Sequence, residues 1–110
     1  MTEIKLTSTI DEGSYTSMSY VMLLDGKEIG WATLSVDRKS AYCERIDIDE
    51  AYRNQGHGTE LLKTLSDEFG SIFLAPDSED SQRLYDRLGY DVTDKADWWA
   101  VDQGYGVYEI

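Results

Sequence analysis

The sequence predicts an α/β domain, a mixed and mostly antiparallel sheet of about seven strands carrying two main helices. Three observations predict it. Residues 2–48 alternate apolar and polar side chains in four segments parted by turn signals. Between 58 and 88 the apolar spacing becomes helical on either side of one short apolar run, and from 90 onward it is strand-like again. The 110 residues fit one domain, 1–110, because a second core needs roughly another 100 residues.

Each element follows from local chemistry. Residues 2–10 alternate, with Ile4, Leu6 and Ser8 on one side, and Asp11-Glu12-Gly13 supplies a turn. The second strand, 15–24, meets the third, 27–36, at Asp25-Gly26, a strong hairpin signal. A turn at 37–40 leads to the fourth strand, 41–48. The first helix carries Leu61, Leu62, Leu65 and Phe69 on one face, and Gly70 stops it. The run 71–75 suits a strand buried on both faces. Asp77 or Ser78 can cap a second helix with Ser81, Leu84, Tyr85 and Leu88 on one face, ended by Gly89. Strands at 90–93 and 104–110 close the domain. A strand–helix–strand crossover in the middle requires a parallel pair.

Composition narrows the function classes. Ten Lys plus Arg against 22 Asp plus Glu give a net charge of −12. That excludes a basic face gripping nucleic acid directly, and disfavours an anionic membrane. It leaves cationic partners, small or protein. Apolar residues at 41% and aromatics at 12% supply a core, so the acidity does not mean disorder. The single Cys43 suits a reducing compartment and removes cysteine-rich metal sites; no metal is expected. With neither a signal-like start nor an apolar run near the ~20 residues that span a bilayer, a cytoplasmic location is expected.

The informative stretch is 46–62. A strand ends, a glycine-containing turn comes next, and a helix begins at once. Gly56 and Gly58 allow close backbone approach, and the N–H groups of Gln55 to Thr59 would converge at a helix N-terminus, where donors and dipole favour phosphate. Arg53 could add a charge-assisted contact. A Walker loop is excluded because Thr59, not lysine, comes after Gly58, and a dinucleotide fingerprint needs a third glycine.

At these residues the chain resembles the GNAT superfamily of N-acetyltransferases. The acetyl-CoA signature Arg/Gln-x-x-Gly-x-Gly/Ala is matched by Arg53-Asn54-Gln55-Gly56-His57-Gly58, with Ile48 at the apolar position five residues earlier. Asn54 stands where many members have glycine, and asparagine tolerates positive φ. The later signature, Asn-x-x-Ala-x-x-Leu-Tyr-x-x-x-Gly-Phe/Tyr, is matched at Leu84, Tyr85, Gly89 and Tyr90, with Ser78 for the asparagine and Ser81 for the alanine. The resemblance covers 41–93. It implies a GNAT-like fold and acetyl-CoA as cosubstrate, held by Ile46, Asp47, Ile48 and 53–59, with Ser78 and Arg83 as further contacts. The two helices that most members carry after the first strand are missing. The acceptor side would be open, to be completed by a second subunit in a homodimer or by the substrate.

The resemblance implies Tyr85 as general acid facing the CoA sulfur. The other reading is a core tyrosine sharing a face with Leu84 and Leu88. Glu44 is the first candidate base, because alternation sets it with Tyr42 and Ile46 near the cleft unless a bulge turns Cys43 or Arg45 inward. Asp47 is a second candidate. His57 occupies a position that usually packs beneath the helix, and nothing near Cys43 would activate it as a nucleophile. Lys63, Arg83 and Arg87 join Arg53 in a local basic set, with pairing to Glu79 or Asp80 as the alternative for the helix arginines. Trp98, Trp99, Tyr105 and Tyr108 form an aromatic set for core, dimer face or acceptor. The leading expectation is an acetyl-CoA-dependent N-acetyltransferase acting on an amine of a small cationic molecule or protein. The alternative is a non-catalytic acidic protein that binds and inhibits a basic, nucleic-acid-binding protein.

Overall fold

In the computed structural model, which describes residues 1–38, 40–75, 79–93 and 107–110, the alternation of the first half becomes four antiparallel strands. These are β1 (Thr2–Asp11), β2 (Thr16–Leu24), β3 (Lys27–Val36) and β4 (Ala41–Ile48). Asp25 and Gly26 both take positive φ, 50° and 86°, the twist a two-residue hairpin needs. At the β3–β4 turn the Ser40 N–H donates to the Asp37 carboxylate at 2.8 Å, and the Asp37 N–H to the Ser40 carbonyl at 2.9 Å.

The second half supplies α1 (His57–Phe69), β5 (Phe73–Leu74), α2 (Glu79–Arg87), β6 (Asp91–Thr93) and β7 (Val107–Glu109). The seven strands form one sheet in the order β1-β2-β3-β4-β5-β7-β6. Among the described strands only β4 and β5 run parallel, as the crossover requires. The mixed α/β architecture matches the expected fold class and strand number. β5 is shorter than the apolar run 71–75, because Ile72 instead exchanges backbone hydrogen bonds of 3.0 and 2.9 Å with Ile110. Asp77, Ser78, Trp98, Trp99 and Tyr105 lie outside the described residues.

The main core lies on one side of the sheet. Leu61, Leu62 and Leu65 of α1 and Tyr85 of α2 pack there with Met22, Ala32, Leu34, Cys43, Leu74 and Tyr108. Each fully buried leucine contributes about 1.5–3 kcal/mol of transfer free energy. A smaller cluster, Tyr42, Phe73 and Val107, occupies the other side, with the Tyr42 and Phe73 rings stacked at 5.4 Å.

One irregularity decides which β4 side chains face which way. Thr33 pairs with Arg45 but Leu34 pairs with Cys43, so Glu44 is an extra residue in the ladder, a β-bulge. Cys43 therefore turns into the core, fully buried, while Glu44 and Arg45 are exposed. Ile46 and Ile48 return to the core side, opposite Ala32 and Gly30.

Candidate functional site

β4 and β5 pair only through Tyr42–Phe73 and Cys43–Leu74. Past Cys43, β4 keeps β3 on one side and no described strand on the other. The gap opens into a cavity of about 420 Å³ between the end of β4, the start of α1 and one face of α2. From β4 come Ile46, Asp47 and Ile48; from the turn and α1 come Tyr52 to Asn54, Gly56 to Thr59 and Leu62; from the other wall come Leu84, Tyr85 and Leu88.

The turn is shaped by backbone conformations that few residues adopt. Asn54 sits at φ 63° and Gly56, the N-cap of α1, at φ 84°. Asparagine and glycine are the residue types that reach this region at least cost. No side chain among the described residues caps α1. Its first N–H groups have no partner within the helix and face the cavity end, together with the positive end of the dipole. A Cβ on Gly58 would meet Ile48 Cγ1 at 3.7 Å, an ordinary contact, so that glycine keeps the lining low rather than preventing a clash.

The Arg53 side chain, at the cavity wall, is also held by the end of β4. Its Nε donates to the Ile48 carbonyl at 2.7 Å and one terminal nitrogen to Asp47 Oδ1 at 3.0 Å. The side chain ties the turn to the end of β4. Asp47 is thereby an ion-pair partner at the cavity wall. Tyr52 precedes the turn, its N–H on the Asp49 carbonyl at 2.8 Å and Lys27 Nζ 5.4 Å from its ring centre.

Tyr85 is buried, and its ring is set by neighbours. Tyr108 meets it edge-on at 5.6 Å and Tyr90 lies tilted at 6.2 Å. Tyr108 is itself fixed, its hydroxyl donating to Asp86 Oδ1 at 2.6 Å. Burial, reinforced by that carboxylate, pushes the Tyr108 phenol up from its ordinary range, so it stays protonated as a donor. Tyr85 is thus a core residue that also lines the cavity.

Of the residues expected at the site, Ile46, Asp47, Ile48, Arg53, Asn54, Gly56, His57, Gly58, Thr59 and Tyr85 line the cavity. Three others are absent from that lining. The bulge sends Glu44 to the opposite side, where it accepts a 2.5 Å hydrogen bond from Ser35 Oγ. Gln55 is exposed, with Nε2 donating to the Ala51 carbonyl at 3.4 Å. Arg83 is exposed on α2. Ser78 lies outside the described residues. Cys43 is buried and its thiol pushed up to about 12, by burial first and then by Glu44, which removes it as a nucleophile.

Sequence reasoning missed Gly30. A Cβ on Gly30 would lie 2.6 Å from Ile48 Cδ1 and 2.8 Å from the Asp47 carbonyl oxygen, so β3 needs glycine where it meets the end of β4. A glycine inside a strand is the available signal for such close approach. Leu84 and Leu88, which their spacing places on one helix face with Tyr85, are 39% and 37% exposed and line the cavity.

A mixed sheet whose parallel strands part above an uncapped helix N-terminus places the chain among the acetyltransferase-like α/β folds. It belongs to the GNAT acetyltransferase family, whose family model matches residues 3–90. A search of curated protein sequences finds no significant match. Among solved structures, a GNAT family acetyltransferase from Elizabethkingia anophelis with acetyl-CoA bound superimposes with a TM-score of 0.67 at 16% identity, over 99% of this chain and 97% of that one. The ribosomal-protein-S18-alanine N-acetyltransferase of Escherichia coli gives 0.66 at 17% identity, over 99% and 91%. The PaiA N-acetyltransferase of Thermoplasma acidophilum, in complex with coenzyme A, gives 0.64 at 17% identity, over 84% and 59%. At these identities the likeness establishes the fold.

Proposed function

We propose that this chain is an acetyl-CoA-dependent N-acetyltransferase that acetylates an amine of a small cationic molecule or protein. The observation that carries the proposal is one cavity bounded by an uncapped helix N-terminus, an unpaired strand end and a tyrosine hydroxyl-bearing ring. The family's cosubstrate fits those walls. The N–H groups at the start of α1 suit its phosphates, and the free edge of β4 at Ile46–Ile48 suits an amide-containing arm. Leu62, Leu84 and Leu88 suit that arm's methylenes.

When bound, acetyl-CoA supplies a thioester whose acyl carbon an amine can attack. The chain supplies the rest. Backbone N–H groups along the free edge of β4 orient the acyl oxygen and stabilise negative charge developing on it. Tyr85 delivers a proton from its hydroxyl to the departing sulfur, from a ring that Tyr108 and Tyr90 hold in place. Glu44 lies across the sheet, so the amine's proton passes to water rather than to that carboxylate. The net charge of −12 raises the local concentration of cationic acceptors. The acidic-inhibitor alternative, drawn from that charge, the missing acceptor-shaping helices and Ser78 in place of the motif asparagine, gains no support from the relatives.

Calorimetric titration with acetyl-CoA, and then mass spectrometry of incubations with amine and protein libraries, tests the proposal. Binding with an acetylated amine product is expected. No binding at millimolar acetyl-CoA overturns the proposal, and binding without any product overturns its catalytic part.

A further inference from the structure

β1 is the edge of the sheet, with β2 along one side and no described strand along the other. It runs for ten residues, against three for β6 at the opposite edge. A long open edge is normally blunted, because its free N–H and C=O groups invite another strand. Here Leu6 is 44% exposed on that edge. The regular ladder from Thr2 to Leu6 ends at a bulge, where Thr7 Oγ1 turns back to donate to the Ser19 carbonyl.

The segment Thr2-Glu3-Ile4-Lys5-Leu6 is complementary to itself when run antiparallel. If Ile4 faces Ile4 of a second copy, Glu3 stands opposite Lys5, Lys5 opposite Glu3, and Thr2 opposite Leu6. Both charged side chains are exposed, and neither makes an ion pair among the described residues. Leu6 then lies diagonal to Ile4 of the other copy, within reach for cross-strand contact. The register two residues further along, with Leu6 facing itself, leaves both charges opposite threonines and puts the bulge inside the paired stretch.

We infer that a second copy of this chain docks on β1, forming a twofold dimer whose two sheets run on as one through residues 2–6. The axis is perpendicular to the sheet, so α1 of each copy lies on the same side of the joined sheet. The net charge of −12 per chain opposes association and is screened at physiological salt, where the two Glu3–Lys5 pairs set the register.

Sedimentation of the full chain from micromolar to millimolar concentration, in about 150 mM salt, tests this without reference to acetyl-CoA. The expected result is a concentration-dependent species of twice the chain mass. Lys5→Glu and Glu3→Lys each set like charges opposite one another twice, and each should weaken dimerisation by about tenfold or more. Mixing the two variants in equal amounts restores both opposite-charge pairs, so a heterodimer of near wild-type affinity should form. A wild type that stays monomeric, a dimer indifferent to either reversal, or two variants that fail to rescue each other would overturn the inference.

Discussion

Two turns in this chain use the same backbone device for different ends. Asp25 and Gly26 take φ of 50° and 86°; Asn54 and Gly56 take 63° and 84°. The first pair returns the chain into the next antiparallel strand, and its surroundings are exposed. The second lies between a strand whose outer edge is unpaired and a helix whose start is uncapped, so its surroundings are the walls of a cavity. Positive φ marks a turn, and the two elements it joins decide whether it is a site.

Function is where the two should differ most. Tyr85→Phe removes the hydroxyl across the cavity from the second turn while keeping the ring against Tyr108. It should lower kcat by about 10²–10⁴-fold with acetyl-CoA affinity unchanged, measured by steady-state kinetics and calorimetry. Unchanged kcat would reduce the second turn to a binding feature.

β3 connects the two regions, since it leaves the first turn and meets the end of β4 at Gly30. Gly30→Val would push into Ile48 and the Asp47 carbonyl and should cost about 1–3 kcal/mol in urea unfolding. Gly58→Ala meets only Ile48 Cγ1 at ordinary distance and should change stability by less than about 1 kcal/mol.

The most direct comparison pairs Gly26→Ala with Gly56→Ala. Each forces an L side chain into the left-handed region, at a cost of about 1–2 kcal/mol. Calorimetry should then separate them: acetyl-CoA affinity falls about tenfold for Gly56→Ala and holds for Gly26→Ala. Equal loss in both would erase the distinction between the turns.

The smallest effect lies away from both turns. The Tyr20 hydroxyl is buried beside Glu68, and burial first, with that carboxylate's charge and hydrogen bonding adding to it, pushes its pKa from 10.0 to about 12. The folded state keeps this proton after the unfolded chain has lost it. The stabilisation is complete below pH 10 and is lost as pH rises toward 12. Tyr20→Phe should therefore flatten the alkaline fall in stability, with a change at neutral pH of no more than about 1 kcal/mol. Urea unfolding at pH 7 and pH 11 reads both.

The parts of this fold legible in the sequence are those set by neighbours along the chain. Asp25-Gly26, the leucine face of α1 and the stop at Gly70 each depend on a few consecutive residues. The Glu44 bulge depends on the register between β3 and β4, which alternation within β4 does not contain. The same holds for Leu84 and Leu88, whose spacing states that they share a face but not that the face borders a cavity. Gly30 was legible in principle, as an interior strand glycine. Its reason appears only once Ile48 is placed beside it.

Arg53 gives the first position of the Arg/Gln-x-x-Gly-x-Gly/Ala signature a chemical meaning in this chain. Its 2.7 Å bond to the Ile48 carbonyl needs an N–H on a long side chain, and glutamine offers that as well as arginine does. The alternation of a charged residue with a neutral one is then a requirement for a donor that fastens the turn to its strand. A glutamate there would present only oxygens to a carbonyl, and the turn would come unfastened with the glycines intact.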